Sequence, residues 1–124
     1  MNSTPPTYVA IVDDDESLCR SLGRLLRAAG MQPVTYLSAE AFLADTKQPV
    51  FDCLLLDVQL GGLSGIELAE RLAREGSRTP FLFITGLEDS EARLRAESAG
   101  CAAYYRKTES GTTIIDAIRR LAGR

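Results

Sequence analysis

The sequence predicts an α/β domain built on a five-stranded parallel sheet with helices on both faces. Short apolar segments and longer segments with helical periodicity alternate five times along the 124 residues, which is the pattern that builds parallel sheets. Two segments, residues 53–57 and 81–85, are apolar at nearly every position, as strands covered on both faces are. We therefore place these two strands in the middle of the sheet.

Each predicted element has a signal at its boundaries. The first helix follows Asp15 and ends at Gly30, and Ser38 is expected to cap a short second helix. Ser64 and Glu67 have the spacing of a capping box and open a third helix that ends at Gly76. The five predicted strands are residues 8–12, 34–37, 53–57, 81–85 and 102–105.

The last two helices differ in how well they are expected to pack. In the predicted fourth helix, residues 88–99, Leu94 is the only large apolar side chain, so we expect weak packing. The fifth helix begins near Ser110 or Gly111. It carries one apolar stripe, formed by Ile114, Ile115, Ile118, Leu121 and Ala122.

Length and composition limit the class of protein. A chain of this length forms one domain, so we predict a single domain over residues 8–124 after a loose segment, residues 1–7. The net charge of -3 and the sequence pI near 5.0 argue against direct binding to nucleic acid. The chain shows no apolar run of membrane-spanning length and no export signal, and we expect a cytoplasmic protein.

The sequence offers little for zinc or disulfide chemistry. Cys19, Cys53 and Cys101 lack the paired spacing of a zinc site or a disulfide framework, and the chain contains no histidine. We expect the three cysteines to act as small buried apolar residues.

Acidic side chains follow two of the predicted strands. Asp13 and Asp14 follow the first strand and Asp57 ends the third, and parallel strands bring such residues to one edge of the sheet. Clustered carboxylates repel one another unless a cation joins them, and Mg²⁺ suits a site with few carboxylates and several waters. We predict direct metal binding by Asp14 and Asp57 and binding through water by Asp13. Asp15 is expected instead to cap the first helix.

A hydroxyl group and an amine are expected at the same edge. Thr85 ends the fourth strand and is followed by Gly86, while Lys107 follows the fifth strand. Asp57 can then act as a nucleophile toward a phosphoryl group and form an acyl phosphate. Lys107 and the metal would stabilise the transferring oxygens, Thr85 would donate its hydroxyl, and Gly86 would leave room for the donor.

These motifs resemble the receiver domain of two-component response regulators. The resemblance covers essentially the whole chain and is greatest to the short receivers related to nitrogen-fixation and nitrate-response regulators. It implies a flavodoxin-like fold with strand order 2-1-3-4-5 and five helices. The motifs that carry it are Ile-Val-Asp13-Asp14-Asp15-Glu-Ser, Leu-Leu-Leu-Asp57 followed by Ser64-Gly65, Ile-Thr85-Gly86, and Tyr104-Tyr-Arg-Lys107.

The resemblance also implies roles for the acidic residues. Asp57 would receive a phosphoryl group from a sensor histidine kinase or a phosphotransfer protein. Asp13, Asp14 and the backbone carbonyl of Gln59 would organise Mg²⁺ around it. The domain would then not be an enzyme with a separate substrate, because it would catalyse only its own phosphorylation and dephosphorylation.

A switch of the surface is implied as well. Thr85 and Lys107 would contact the phosphoryl group, and Tyr104 would be the switch aromatic that moves inward with the threonine. Tyr105 is expected to pack in the core. Partner binding would change on phosphorylation, with a possible homodimer through the fourth helix, fifth strand and fifth helix, and with neither direct nucleic-acid binding nor a membrane contact.

Two departures from the family pattern keep an alternative open. Thr108 follows the lysine where the family has proline, often after a cis peptide, so the Lys107–Thr108 peptide is either trans with a reshaped loop or strained. Gly61 and Gly62 lie where the family favours proline. The alternative is a receiver-like interaction domain that works without phosphorylation.

Two other functions are disfavoured by single features. An aspartyl phosphatase needs a second acid two residues after its nucleophile, where this chain has Gln59. A flavin or dinucleotide binder needs a glycine- or hydroxyl-rich loop after the first strand, where this chain has three consecutive aspartates.

Overall fold

The computed structural model describes residues 5–86 and 89–123. Strands and helices alternate along the chain, as the sequence predicts. The strands are β1 Thr7–Val12, β2 Met31–Tyr36, β3 Cys53–Asp57, β4 Phe81–Thr85 and β5 Ala103–Arg106. The helices are α1 Glu16–Ala28, α2 Ala39–Ala44, α3 Gly65–Arg74, α4 Ser90–Ser98 and α5 Gly111–Ala122.

The five strands form one parallel sheet in the order β2-β1-β3-β4-β5. This order confirms the fold class. Every residue of β3 is buried, and so are four of the five residues of β4. The two strands with continuous apolar sequence therefore lie inside the sheet, where both of their faces are covered.

Two apolar layers hold the helices against the sheet. On one face, side chains of α2, α3 and α4 pack against alternate strand residues such as Leu56 and Phe83. On the other face, α1 and α5 pack against the intervening residues, including Ile11 and Leu55. Because strand side chains alternate between faces, one stretch of sequence supplies both layers.

The caps predicted from the sequence are present at the helix starts. The Asp15 side chain accepts a hydrogen bond from the backbone N–H of Leu18, so Asp15 is the cap of α1. Ser64 and Glu67 form a complete capping box at α3. Ser38 caps α2 by accepting from the N–H of Ala41. These bonds satisfy donors that have no partner within their helix.

Several predicted boundaries were wrong. β2 spans residues 31–36 instead of 34–37, and β5 spans 103–106 instead of 102–105. Thr7 belongs to β1 rather than to the loose segment, whose residues 1–4 lie outside the described residues. Proline is tolerated in edge strands, which explains how Pro33 sits within β2.

The helical packing also departs from the sequence pattern in places. Leu25 of α1 is apolar like its buried neighbours Leu22 and Leu26, yet it is 43% exposed and lies beside Gly111 at the start of α5. α4 begins at Ser90, and residue 88 of the predicted helix lies outside the described residues. Its only buried residue is Ala96, and Leu94 is 65% exposed, in agreement with the expected weak packing. None of the described helices is long and apolar enough to span a membrane.

Candidate functional site

The carboxyl ends of four strands bring the predicted site residues together. Asp13 follows β1, Asp57 ends β3, Thr85 ends β4 and Lys107 follows β5. Parallel pairing sets these strand ends side by side, since Val12 pairs with Leu56 and Asp57 with Ile84. Asp13, Asp57 and Thr85 are almost completely buried, at 3%, 4% and 0% exposure.

Three carboxylates converge at this edge. One oxygen from each of Asp13, Asp14 and Asp57 lies within 4.8 Å of the others, and Asp14 is the exposed member. Backbone groups orient the two buried carboxylates. The N–H of Asp15 donates to Asp13 at 2.9 Å, and the N–H of Gln59 donates to Asp57 at 3.2 Å.

The amine of Lys107 lies between the two buried carboxylates. Its Nζ is 3.2 Å from an oxygen of Asp13 and 3.2 Å from Oδ2 of Asp57. The backbone N–H of Lys107 donates to the carbonyl of Thr85 at 2.8 Å, which continues the β4–β5 pairing past the strand end. No peptide among the described residues is cis, so the Lys107–Thr108 bond is trans.

Burial and neighbouring charge shift both ionisable groups. Burial and the adjacent Asp13 raise the pKa of Asp57 to about 6, although Lys107 opposes the shift. Burial by itself would lower the pKa of Lys107, but its bonds to Asp13 and the charge of Asp57 outweigh burial and raise it. The amine of Lys107 therefore stays charged. One ammonium does not neutralise the two carboxylates of Asp13 and Asp57, so the remaining negative potential favours binding of a further cation.

The donor set fits magnesium. It offers hard carboxylate oxygens from Asp13, Asp14 and Asp57, and the exposed Asp14 leaves one side open to water. Mg²⁺ is held by few carboxylates and retains several waters. Gln59 is exposed and lies two residues beyond Asp57, and the use of its backbone carbonyl as a ligand stays a prediction.

Thr85 and Tyr104 lie on neighbouring strands behind the carboxylates. The Tyr104 ring is 6.3 Å from the ring of Phe83, its partner in the β4–β5 register. Its hydroxyl oxygen is buried; the Thr85 side chain interacts with it, but no described residue gives it a hydrogen bond of full geometry. Burial raises the pKa of Tyr104, while the positive charge of Arg93 and the hydroxyl of Thr85 act in the opposite direction.

Three contacts near the site were missed at the level of sequence. The guanidinium of Arg93 lies 5.3 Å from the centre of the Tyr104 ring. Glu40 of α2 accepts a 2.8 Å hydrogen bond from the backbone N–H of Leu63, in the loop after Asp57. A Cβ atom at residue 65 would overlap the carbonyl oxygen of Asp57. The sequence motif includes the Ser64-Gly65 pair, but the close approach that requires glycine shows only in three dimensions.

Comparison with known proteins identifies the family. The protein-family model for the response regulator receiver domain matches residues 9–119 of the chain. The chain belongs to this family. The receiver fold and the role in two-component signalling that the sequence implied are thereby confirmed, and receiver domains are signalling modules rather than enzymes with a separate substrate.

Individual relatives agree with this assignment. The chain is 38% identical over 110 residues to nodulation protein W of Bradyrhizobium diazoefficiens, covering 89% of this chain and 48% of that protein. It is 33% identical over 117 residues to the transcriptional regulatory protein FixJ of Azorhizobium caulinodans, covering 94% and 55%. The receiver therefore spans about half the length of the curated relatives it matches.

A solved structure extends the likeness to three dimensions. The response regulator receiver protein from Burkholderia phymatum superimposes with a TM-score of 0.81 and 39% identity. The match covers 94% of this chain and 95% of that one. Nearly the entire backbone of this receiver thus follows that of a known receiver.

Proposed function

We propose that Asp57 of this receiver accepts a phosphoryl group from the phosphohistidine of a sensor kinase or phosphotransfer protein. The observation that carries the proposal is the convergence of Asp13, Asp14 and Lys107 on Asp57, which is buried and ends a central strand. The neighbouring carboxylates can bind a metal ion, and the amine of Lys107 is positively charged. Together they can neutralise the negative oxygens of a phosphoryl group that approaches Asp57.

The transfer balances as a displacement at phosphorus. An oxygen of Asp57 forms the new P–O bond with its own electron pair, the P–N bond to the donor imidazole breaks, and the imidazole leaves with that electron pair and takes up a proton. Asp13, Asp14, Asp57 and the carbonyl of Gln59 would hold Mg²⁺, which when bound offsets the negative charge shared by nucleophile and phosphoryl group.

Besides the metal ion, Lys107 offsets the negative charge of the phosphoryl group. In the structure its ammonium bridges Asp13 and Asp57 at 3.2 Å. When a phosphoryl group occupies Asp57, the same ammonium can pair with a phosphoryl oxygen without moving its backbone, because the N–H of Lys107 is anchored to Thr85. The ion pair therefore positions the amine before the reaction begins.

Phosphorylation of Asp57 then changes the positions of Thr85 and Tyr104. We assign Thr85 to the hydroxyl contact with the phosphoryl group and Tyr104 to the switch aromatic. The surface that changes is formed by α4, β5 and α5, and a second copy of the receiver docking there would form a homodimer. We place the receiver in the cytoplasm, where histidine kinases present their phosphohistidine, with no direct contact to nucleic acid or membrane.

The direct test is covalent labelling. Incubation with Mg²⁺ and a small phosphodonor such as acetyl phosphate should add the mass of one phosphoryl group, and chelation of the metal should prevent it. Asp57→Asn should abolish the label. Asp116→Asn, which removes an exposed acid on α5, should label like the unaltered protein.

Failure to label would change the assignment. If the folded protein takes up no phosphoryl group in the presence of Mg²⁺, the receiver would be an interaction domain that works without phosphorylation. Measuring its binding to a kinase with and without the phosphodonor would then separate constitutive docking from regulated docking.

A further inference from the structure

Arg93 connects α4 to the aromatic residue of β5. Its guanidinium carbon lies 5.3 Å from the centre of the Tyr104 ring, within the range of a cation–π contact. The same guanidinium pairs with Glu97 one turn later, at 3.8 Å. Arg93 thus has one electrostatic contact along its own helix and one to the neighbouring strand.

α4 has few other attachments. Ala96 is its only buried residue, and Leu94 is 65% exposed. A helix with so little apolar burial moves relative to the sheet at small energetic cost. The contact between Arg93 and Tyr104 therefore links α4 to the ring in addition to the packing of Ala92 and Ala96.

The orientation of the Tyr104 side chain is set mainly by contacts with its ring. The hydroxyl oxygen is buried, and beside the interaction with the Thr85 side chain it has no hydrogen bond of full geometry among the described residues, so hydrogen bonding holds the ring only weakly. The ring is instead packed against Phe83 and covered by Arg93. The buried hydroxyl shows that the ring is turned inward in this structure. Burying a weakly hydrogen-bonded hydroxyl costs free energy, which the contacts with the ring offset.

We propose that Arg93 is a positioning residue that holds Tyr104 in its inward orientation and so favours the phosphorylated form of the receiver. The inference rests on the proposed function, in which Tyr104 moves inward when Asp57 is phosphorylated. A contact that stabilises the inward ring must, by linkage, strengthen binding of a phosphoryl group or its analogue at Asp57. Arg93 acts through Tyr104 and touches no reacting atom.

The test compares three variants. Arg93→Met keeps a long unbranched side chain and removes the charge, and Arg93→Lys restores a cation. Arg71→Met is the matched control, because Arg71 is an exposed arginine of α3 in a similar pair with Glu75 and has no aromatic contact within the described residues. Affinity for beryllofluoride with Mg²⁺, an analogue of the phosphoryl group, is measured for each.

We expect Arg93→Met to weaken beryllofluoride binding about two- to fivefold, the effect of losing one exposed cation–π contact. Arg93→Lys should recover part of the loss, and Arg71→Met should bind like the unaltered protein. A second readout is the pKa of the Tyr104 phenol, assigned by its loss in Tyr104→Phe. This pKa should rise in Arg93→Met, since Arg93 lowers it, and should not change in Arg71→Met.

The outcomes separate this inference from the proposed function. Equal beryllofluoride affinity in Arg93→Met and the unaltered protein would overturn the role of Arg93 and leave the proposed function standing. An unchanged pKa of Tyr104 would overturn it as well, because the ring contact would then be absent in solution. If the unaltered protein binds no beryllofluoride, the proposed function fails and the linkage through Arg93 fails with it.

Discussion

The ammonium of Lys107 lies 3.2 Å from the carboxylate of Asp57, although 50 residues separate them in the chain. The same ammonium reaches Asp13, and it is about one-quarter exposed. It therefore occupies the place where part of the negative charge of the site must be balanced, and it competes with any metal that binds the same oxygens.

Replacing Lys107 is expected to separate metal binding from phosphorylation. Lys107→Met removes the competing positive charge, so affinity for Mg²⁺ should stay equal or rise severalfold. The rate of labelling by acetyl phosphate should fall by about tenfold or more, since a charge contact to the transferring oxygens is lost. Titration calorimetry measures the first quantity and mass spectrometry the second.

Lys47 provides the control for this substitution. It is the other lysine of the chain and is exposed beyond α2. Lys47→Met should alter neither quantity. If the Lys107→Met protein is phosphorylated by acetyl phosphate at the normal rate, the amine of Lys107 takes no part in the transfer.

The ionisation of Asp57 should make stability depend on pH. Its pKa is raised from 3.8 to about 6 in the folded metal-free protein, chiefly by burial and Asp13. The folded state binds the proton more tightly than the unfolded state, so the contribution of Asp57 to stability is full below about pH 4. It is lost as the pH rises through 6.

Asp57→Asn removes this titration. The variant should gain stability relative to the unaltered protein between pH 4 and pH 7, on the order of 1 kcal/mol after allowance for solvent screening. Urea unfolding without metal at several pH values measures the difference. Mg²⁺ at pH 7 should stabilise the unaltered protein more than the variant. If the difference in the free energy of unfolding between the two proteins stays constant with pH, the raised pKa of Asp57 is not the cause of the pH dependence.

Gly65 sets how closely α3 approaches β3, the strand that ends in Asp57. A Cβ atom there would overlap the carbonyl oxygen of Asp57, which is backbone and has little freedom to yield. Gly65→Ala should therefore reduce the free energy of unfolding by roughly 2 kcal/mol or more and displace Asp57. Thermal unfolding and Mg²⁺ affinity report the two effects.

Gly61 offers a matched substitution in the loop that precedes α3. Nothing lies within 4 Å of a Cβ atom at this position, and its φ angle is not in the left-handed region. Gly61→Ala should leave stability unchanged or raise it by about 0.4 to 1 kcal/mol, because alanine restricts the unfolded chain. Equal effects of the two substitutions would show that the approach of α3 is not tight.

A tyrosine at the sheet edge is tied to the end of α2. The hydroxyl of Tyr36 donates to the Asp45 carboxylate at 2.6 Å, and the ring packs edge-on against Phe42. Burial and this bond raise the pKa of Tyr36 above its ordinary value. Tyr36→Phe should lower the free energy of unfolding by about 1 to 2 kcal/mol, measured by urea unfolding.

Tyr8 is the comparison for that loss. It is partly buried in β1, and its hydroxyl makes no hydrogen bond with the described residues that would be lost. Tyr8→Phe should change stability by less than about 0.5 kcal/mol. A similar loss in both variants would point to general packing rather than to the bond with Asp45.

Local signals in the sequence determined most of the fold. The alternation of apolar and amphipathic segments specified five strands and five helices, and Asp15 and Ser64 marked helix starts through bonds to nearby backbone N–H groups. Acids at the ends of β1 and β3 were placed together because parallel strands end at one edge. These features depend on residues close in the chain or on the topology alone.

The tertiary structure decided the remainder. It shows the Lys107 ammonium between two carboxylates, the trans peptide after it, the approach of Gly65 to Asp57, and Arg93 over Tyr104. It also shows that β2 includes Pro33, where the edge position outweighs the local preference. Such features depend on distances between residues far apart in the chain, and neither periodicity nor composition carries that information.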